Sequence, residues 1–356
     1  MKHWEITELP LNIDLESKKV LKALPSAHAA LAELKGIAST IPNQNILINT
    51  LGLQEAKDSS AIENIITTHD DVYKSELNFN AFTSLQVKEV QNYISALKKG
   101  FELIKNKKLL TNKIIIEIQE ELEANNAGFR KLPGTILKNA ITGEVIYTPP
   151  QDYEKIIQLM SNLEQYINDS ELQDYDPLIK MAIIHFQFES IHPFYDGNGR
   201  TGRIINILYL ILEGLLSLPI LYLSNYIIKN KPNYYHYLQK VRDENVWEDW
   251  ILFMIKGVEV TSRETIHLIT TIKELMLDYK HRLRKNYKFY SQDLLNNLFK
   301  HPYTKIEFVV NDLGVSRLTA AKYLNKLADD KMLRKEKLGT GNYYINEELF
   351  HILTKR

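Results

Sequence analysis

The chain has 356 residues, with 44 Lys and Arg balanced by 44 Asp and Glu, 44% hydrophobic residues and no cysteine. This composition, with only 14 Gly and 11 Pro, excludes collagen-like, disordered and low-complexity proteins. The lack of cysteine excludes disulfide frameworks, thiolate metal sites and cysteine nucleophiles, so any catalysis must use His, carboxylates, hydroxyls, Lys or Arg. The length predicts two or three domains.

The N-terminus has no basic segment followed by an apolar run, so we expect no secretory signal. The most apolar stretch, residues 204–223, contains Glu213, which would be costly in contact with lipid. It is therefore predicted to be a buried core helix and its exit. We expect a soluble cytoplasmic protein that does not enter a membrane.

Most of the chain has the periodicity of amphipathic or buried helices. Helices are predicted over residues 45–68, 82–99, 112–124, 152–168 and 177–189. Residues 133–150 differ, because two short apolar runs flank Thr142-Gly143 and predict a β-hairpin. A lone hairpin is marginally stable, so we expect it to be held against another part of the protein.

Residues 192–203, His-Pro-Phe-Tyr-Asp-Gly-Asn-Gly-Arg-Thr-Gly-Arg, connect two apolar periodic segments. They predict a loop that runs into the N-terminus of a helix. Gly197 and Gly199 allow successive backbone N–H groups to point at an anion, and the helix start adds partial positive charge. The amide of Asn198 is a further candidate donor.

The charged residues of this segment suit a nucleotide. Arg200 and Arg203 are three positions apart, so both can reach phosphate oxygens from one helix face. Asp196 is suited to hold a Mg²⁺ that bridges two phosphates. His192 is the group able to accept a proton near neutral pH. Together they indicate a site for a phosphate-bearing nucleotide, a metal and a general base.

Three other interpretations of the segment are weaker. Residues 197–202 also spell G-x-G-x-x-G, but the dinucleotide fingerprint requires a preceding strand and alternating βα units, which the pattern lacks. A structural Gly-rich connection would not require this combination of residue types over twelve positions. A metal cluster of His185, His192 and Asp196 is disfavoured because His185 lies on an apolar face and is expected to be a core histidine.

The segment matches the full signature of the Fic family, protein adenylyltransferases that move AMP from ATP to a hydroxyl side chain of a target protein. The resemblance extends over approximately residues 1–275. It implies a mainly α fold, with a Fic-type helical core and a β-hairpin flap that clamps the target segment as an added strand. Residues 128–130 and the hairpin of residues 133–150 resemble that flap.

The resemblance also implies roles for individual residues. His192 is implied as the base that deprotonates the target hydroxyl, Asp196 as the Mg²⁺ ligand and Phe194 as the apolar anchor of the loop. The implied ATP-binding residues are Gly197, Asn198, Gly199, Arg200 and Arg203. Unlike the Doc kinases of the same superfamily, the chain keeps the second Gly and both Arg, which implies attack at the α-phosphorus.

Aromatic residues between positions 234 and 250 are candidates for the adenine pocket, as in other members of the family. Tyr235 is our choice among them. The others are Tyr234, Trp247 and Trp250, and packing in the core is the alternative for each of the four.

Residues 59–64, Ser-Ser-Ala-Ile-Glu-Asn, fit the pattern [ST]-x-x-x-E-[GN] of the family's inhibitory helix. The inhibitory residues implied are Ser59, Glu63 and Asn64. Glu63 is expected to pair bidentately with Arg203 and to take the place of the γ-phosphate, which predicts an autoinhibited enzyme. In the family the same Glu can position a water that removes AMP, so the reverse reaction is also implied. The alternative is a capped helical turn with a solvated Glu.

The C-terminal part differs in charge from the rest. Residues 281–356 contain 15 Lys and Arg and 8 Asp and Glu, against 29 and 36 in the remainder. A helix over 306–314, a turn, a helix over 317–332 and a hairpin over 333–345 have the order of a winged helix-turn-helix. Such a module can bind DNA, dimerise or dock a protein, and the sequence leaves these uses open.

The sequence therefore predicts three domains: an N-terminal helical region with the inhibitory helix (1–100), a Fic catalytic core (101–275) and a winged helix-turn-helix domain (285–356). The expected function is transfer of AMP from ATP, with Mg²⁺, to Ser, Thr or Tyr of an unidentified target protein. The alternatives are a nucleotide-sensing DNA-binding transcriptional regulator and a transferase of another phosphate-linked group. Self-modification and a homodimer are left open.

Overall fold

The computed structural model describes residues 5–75, 84–138, 142–338 and 341–354. Within these ranges the chain forms fifteen α-helices and five short strands, so the predicted mainly α fold is confirmed. None of the helices described is long and apolar enough to cross a membrane.

In the described part of the first third of the chain, every regular element is a helix. The helices are α1 (Lys18–Ala38), α2 (Asn45–Ile62), α3 (His69–Ser75), α4 (Leu85–Lys107) and α5 (Asn112–Glu123). The helix predicted over 45–68 is too long, because Asn64 has a φ of 65° and the Ile65 N–H donates back to the Ser60 carbonyl. The helix predicted over 82–99 starts at Leu85 after the N-cap Ser84 and extends to Lys107, while Phe82 lies outside the described residues.

The middle of the chain contains a hairpin followed by the most deeply buried helices. The elements are β1 (Leu137–Lys138), β2 (Val145–Tyr147), α6 (Tyr153–Asn168), α7 (Pro177–Ile191), α8 (Asn198–Leu212), α9 (Leu223–Lys229) and α10 (Lys231–Glu244). The two strands pair antiparallel, with Leu137 opposite Tyr147, and residues 139–141 lie outside the described part. Helix α7 is buried on almost every side, which its apolar sequence requires. Residues 204–223 are predicted to form a buried helix and the segment that follows it, and the helix, α8, ends at Leu212.

A single long helix, α11 (Glu248–Asn286), packs along α1 and leads into the C-terminal module. The module consists of α12 (Gln292–Lys300), β3 (Tyr303–Lys305), α13 (Ile306–Leu313), α14 (Arg317–Asp329), β4 (Arg334–Leu338), β5 (Gly341–Ile345) and α15 (Glu347–Thr354). Its antiparallel sheet has the order β3-β5-β4.

Local signals explain the turns of the module. Gly314, with a φ of 66°, ends α13, and the Ser316 hydroxyl accepts a hydrogen bond from the Thr319 N–H at the start of α14. The second helix predicted over 317–332 ends at Asp329, because Lys331 has a φ of 59° and turns the chain into β4. Residues 339 and 340 at the predicted tip of the hairpin lie outside the described part.

The module packs against the segment that contains residues 59–64. The Gln54 side chain of α2 donates to the Leu353 carbonyl of α15 at 2.8 Å. The Tyr303 hydroxyl of β3 donates to Asp70 of α3, and the Tyr73 ring contacts the rings of Tyr303 and Phe350. Helices α2 and α3 are therefore held between the core and the C-terminal module.

Candidate active site

The motif loop joins the two most buried helices, α7 and α8. His192 ends α7 in the left-handed region with a φ of 50°, and Gly197 has a φ of 75° just before α8 begins at Asn198. Phe194 is fully buried, with its ring 5.2 Å from that of Phe129. The loop is thus anchored in the core, and the N-terminus of α8 faces the site.

Asn198 differs from the expectation that its amide is a phosphate donor. Its side-chain oxygen accepts from the Phe194 N–H and its side-chain nitrogen donates to the Phe194 carbonyl, both at 2.9 Å. The side chain is buried and holds the loop closed from within. It shapes the anion site indirectly, by fixing the loop backbone.

The base of the hairpin is bonded to the same loop. The Arg130 N–H donates to the Pro193 carbonyl at 2.8 Å, and the buried Arg130 guanidinium donates to the His192 carbonyl at 2.8 Å. The Tyr195 hydroxyl accepts from the N–H groups of Lys131 and Leu132 at 3.0 and 3.1 Å. The hairpin is therefore held against the site, as the sequence pattern led us to expect.

His192 is a neutral imidazole at physiological pH. Burial lowers its pKa to about 4, and the positive charges of Arg130 and Arg242 act in the same direction. A neutral ring is the form that can accept a proton.

Arg203 is buried and is held by the end of helix α2. Its Nε donates to the Ser59 hydroxyl at 2.8 Å, and its Nη2 donates to the Ser59 carbonyl at 3.0 Å and to Oε1 of Glu63 at 2.7 Å. The expected bidentate pair of Glu63 with Arg203 is not what the structure shows. The second oxygen of Glu63 accepts from Nε of Arg200 at 3.1 Å, so one carboxylate bridges both arginines.

Asn64 has a different structural role from Ser59 and Glu63. Its side-chain oxygen accepts from Lys231 at 3.2 Å, and its backbone, in the left-handed region, ends helix α2. It fixes the point where the helix stops, so that Glu63 stands at the C-cap.

Arg200 pairs closely with three carboxylates from other parts of the fold, and Asp196 of the loop lies 3.9 Å from its Nη2. In addition to Glu63, Glu89 of α4 lies 2.8 Å from Nη1 and Glu123 of α5 lies 3.0 Å from Nη2. The Arg200 side chain is only 3% exposed. Burial raises the pKa of Glu123 to about 7, against the opposing effect of the Arg200 charge.

The two glycines of the loop lie directly against two of these carboxylates. A methyl group at Gly199 would lie 2.5 Å from Oε1 of Glu63, and one at Gly197 would lie 2.3 Å from Oε1 of Glu123. Glycine at both positions lets carboxylates approach the backbone where an anion would otherwise bind.

Asp196 lies at the open edge of the loop, with its side chain 77% exposed. One of its oxygens accepts from the Gly197 N–H at 2.7 Å. An exposed carboxylate beside the N-terminus of a helix suits Mg²⁺ that takes its other ligands from phosphates and water. Within the described ranges no group of three or more His, Cys, Asp or Glu is arranged to hold a metal without such help.

The aromatic candidates divide into buried and exposed residues. Tyr234, Trp247 and Trp250 are buried, and the Tyr234 hydroxyl is 2.8 Å from Nε2 of His185. Burial lowers the pKa of His185 to about 3, so it is a neutral core histidine. The Tyr235 side chain is 48% exposed, but burial of its hydroxyl raises the pKa of Tyr235, against the opposing effect of the Arg203 charge.

Sequence patterns did not identify Glu89 and Glu123 as site residues. Both lie on amphipathic helices, where an isolated Glu is typical of a solvated face, and both are more than 70 residues from Arg200. No short pattern connects them to the motif.

Family models match three consecutive parts of the chain. The Fic/DOC family N-terminal model matches residues 21–102, the Fic/DOC family model matches residues 109–210, and the model of the C-terminal domain of the protein adenylyltransferase SoFic-like group matches residues 275–349. The two Fic/DOC models together span more than half of the chain.

Relatives match over shorter stretches. Protein adenylyltransferase fic-1 of Caenorhabditis briggsae is 33% identical over 61 residues, which are 17% of this chain and 12% of the relative. Protein adenylyltransferase Fic of Drosophila erecta is 29% identical over 103 residues, which are 29% of this chain and 19% of the relative. The chain thus spans less than a fifth of the length of these two relatives.

Solved structures share the fold. A Fic family protein from Desulfovibrio desulfuricans superposes with a TM-score of 0.59 at 19% identity, over 94% of this chain and 97% of that chain. Fic-1 of Caenorhabditis elegans superposes with a TM-score of 0.54 at 20% identity, over 69% and 71% of the two chains.

Proposed function

Since the chain belongs to the Fic/DOC family, we propose that it is a protein adenylyltransferase, which moves AMP from ATP to a hydroxyl side chain of a protein. The observation that carries the proposal is the arrangement around the motif loop. A neutral His192 stands at one end of a glycine loop, and Arg200 and Arg203 stand on the helix that the loop begins. The family matches do not favour a transcriptional regulator.

In the proposed reaction the target hydroxyl oxygen attacks the α-phosphorus of ATP. A new oxygen–phosphorus bond forms, the bond from the α-phosphorus to the bridging oxygen breaks, and diphosphate leaves. His192 takes the hydroxyl proton. The N–H groups at the start of α8 and the two arginines hold the phosphates by charge and hydrogen bonds. Mg²⁺ held by Asp196 would neutralise phosphate charge.

The hairpin is the proposed clamp for the target. The hairpin carries two half-exposed apolar side chains. Ile136, just before β1, is 43% exposed, and Ile146 in β2 is 45% exposed. Its base is bonded to the loop that contains His192, as described above. An extended target segment added at this hairpin would bring its hydroxyl to the same loop.

Glu63 is the proposed inhibitor of this reaction. Its carboxylate occupies both arginines at 2.7 and 3.1 Å, and so it takes the donors that the β- and γ-phosphates would need. Ser59 holds Arg203 in the same pose. Release of Glu63 would allow ATP to bind for attack at the α-phosphorus.

The domain limits and the remaining partners are also proposals. We place an N-terminal helical region at 1–100, the catalytic core at 101–275 and a winged helix at 285–356. The helix, turn, helix and hairpin of the module, with its three-stranded sheet, support the winged-helix assignment. Tyr235 is the proposed adenine contact. Use of the module to bind DNA stays a prediction.

The test is transfer of label from ATP by the Glu63→Gly variant. With ATP labelled at the α-phosphate and a cell lysate as the source of targets, we expect labelled protein with Glu63→Gly and much less with the unchanged protein. The matched control is the double variant Glu63→Gly/His192→Ala, which should bind ATP and label nothing. Absence of any labelled protein with Glu63→Gly would contradict the proposal.

A further inference from the structure

We propose that Glu123 is a second positioning residue of the nucleotide site, which holds Arg200 away from the phosphates independently of Glu63. The inference rests on the proposed function, because it concerns how ATP gains access to the same site. It assigns a role to a residue outside the motif and outside the inhibitory hexapeptide.

Every side-chain nitrogen of Arg200 is paired with a carboxylate. Each of its three nitrogens faces a different carboxylate: Nε faces Glu63 at 3.1 Å, Nη1 faces Glu89 at 2.8 Å and Nη2 faces Glu123 at 3.0 Å. Removing Glu63 frees one of these nitrogens and leaves two still paired. Arg200 therefore needs more than the departure of Glu63 before it can turn to a phosphate.

Glu63 and Glu123 have similar positions relative to the loop and to α8. Glu63, at the end of α2, lies against Gly199 and pairs with Arg203. Glu123, at the end of α5, lies against Gly197 and pairs with Arg200. Each carboxylate thus lies against one glycine of the loop and pairs with an arginine of α8, and Glu63 pairs with Arg200 as well.

Burial distinguishes Glu123 from Glu89. The Glu123 side chain is 13% exposed, against 37% for Glu89. It is the last residue of α5, and Ala124 ends the helix in the left-handed region with a φ of 51°. A carboxylate that is partly withdrawn from water repels a nearby phosphate more strongly than an exposed one. Glu123 is therefore the carboxylate with the larger effect on a phosphate bound at Gly197.

The test compares ATP binding in the Glu63→Gly variant with binding in Glu63→Gly/Glu123→Gln. Gln keeps the size of the side chain and removes its charge. In mildly alkaline buffer, where Glu123 is ionised, we expect ATP to bind about tenfold more tightly to the double variant by calorimetry. Adenosine, which has no phosphate, should bind both variants equally.

Glu63→Gly/Glu121→Gln is the matched control. Glu121 lies on the same helix but pairs with Lys99 at 3.6 Å, away from the motif. Its ATP affinity should equal that of Glu63→Gly. If Glu123→Gln leaves ATP affinity unchanged or lowers it while adenosine binds normally, the inference is wrong.

These outcomes separate the inference from the proposed function. If Glu63→Gly binds ATP and transfers AMP but Glu123→Gln adds nothing, only the role of Glu123 fails. If neither variant binds ATP, the proposed function fails and the inference fails with it.

Discussion

His192 shows how the surroundings of one residue determine what it can do. In the folded protein the His192 ring has a pKa of about 4, whereas an unperturbed histidine has a pKa near 6.5. Because the unfolded chain takes up the proton first, His192 contributes stability that is present above pH 6.5 and is lost as the pH falls towards 4. Across the physiological range the ring stays neutral and able to act as a base.

We therefore expect the His192 resonance in a histidine-edited NMR titration to remain that of a neutral ring well below pH 6.5. The His192→Ala variant assigns the signal by its absence. A midpoint close to 6.5 for His192 would show that burial and the two nearby arginines do not shift its pKa as described.

Replacing glycine by alanine should have opposite effects on stability at two positions of different helices. Gly36 lies inside α1 with open space around the position of a Cβ, and Gly314 lies at the C-cap of α13 with a φ of 66°. Gly36→Ala should stabilise the protein by about 0.5–1 kcal/mol, because Ala loses less conformational freedom in a helix. Gly314→Ala should destabilise it by about 1 kcal/mol, because L-residues are strained in the left-handed region.

Denaturant unfolding followed by circular dichroism measures both changes, and each variant is the control for the other. The helix boundaries of this structure predict opposite signs. Equal effects of the same sign would mean that Gly36 or Gly314 does not have the backbone conformation described.

Local sequence signals identify the elements that depend on nearby residues. The caps at Ser316 and Gly314 place the start of α14 and the end of α13, and the periodicity of α5 and α6 places both ends of these two helices to within one residue. Strand β3 has only three residues and forms by pairing with β5 some 40 residues later, so no local pattern predicts it. Helix α2 ends earlier than its periodicity suggests, because Asn64 turns the chain.

In the candidate site, too, some residues can be recognised from local sequence patterns and others cannot. Residues 192–203 and 59–64 are short patterns whose chemistry can be recognised in the sequence. The bridging of Arg200 and Arg203 by Glu63 depends on how α2 packs on α8, and the pairs of Arg200 with Glu89 and Glu123 depend on α4 and α5. Such contacts between distant helices follow from the fold and cannot be derived from single motifs.

At the scale of the whole molecule, the C-terminal module holds the helix that carries Glu63. Tyr303 of the module donates a hydrogen bond to Asp70, seven residues after Glu63, and Gln54 of α2 donates to Leu353. The segment that carries Glu63, the proposed inhibitor, is therefore stabilised by contacts with the C-terminal module. A partner that moves the module would also change the position of Glu63.

Tyr303→Phe should loosen this hold by removing one partly buried hydrogen bond. Such a bond is worth about 1 kcal/mol, so we expect basal AMP transfer by the otherwise unchanged protein to rise about fivefold. Tyr323→Phe, in the same module but stacked on Phe289 away from α2, is the matched control. Unchanged transfer by Tyr303→Phe, with normal melting of both variants, would mean that the module does not influence Glu63.

The central claim is that removing one carboxylate converts an inhibited protein into an AMP transferase. The most direct test incubates purified Glu63→Gly with ATP, Mg²⁺ and a hydroxyl-containing protein substrate that the labelling experiment has identified. Intact-mass spectrometry then measures the mass of that substrate. We predict a gain of whole AMP groups on that substrate, which is absent when His192 is also replaced by Ala. A gain of a single phosphoryl group would place the attack at the γ-phosphorus and contradict the account.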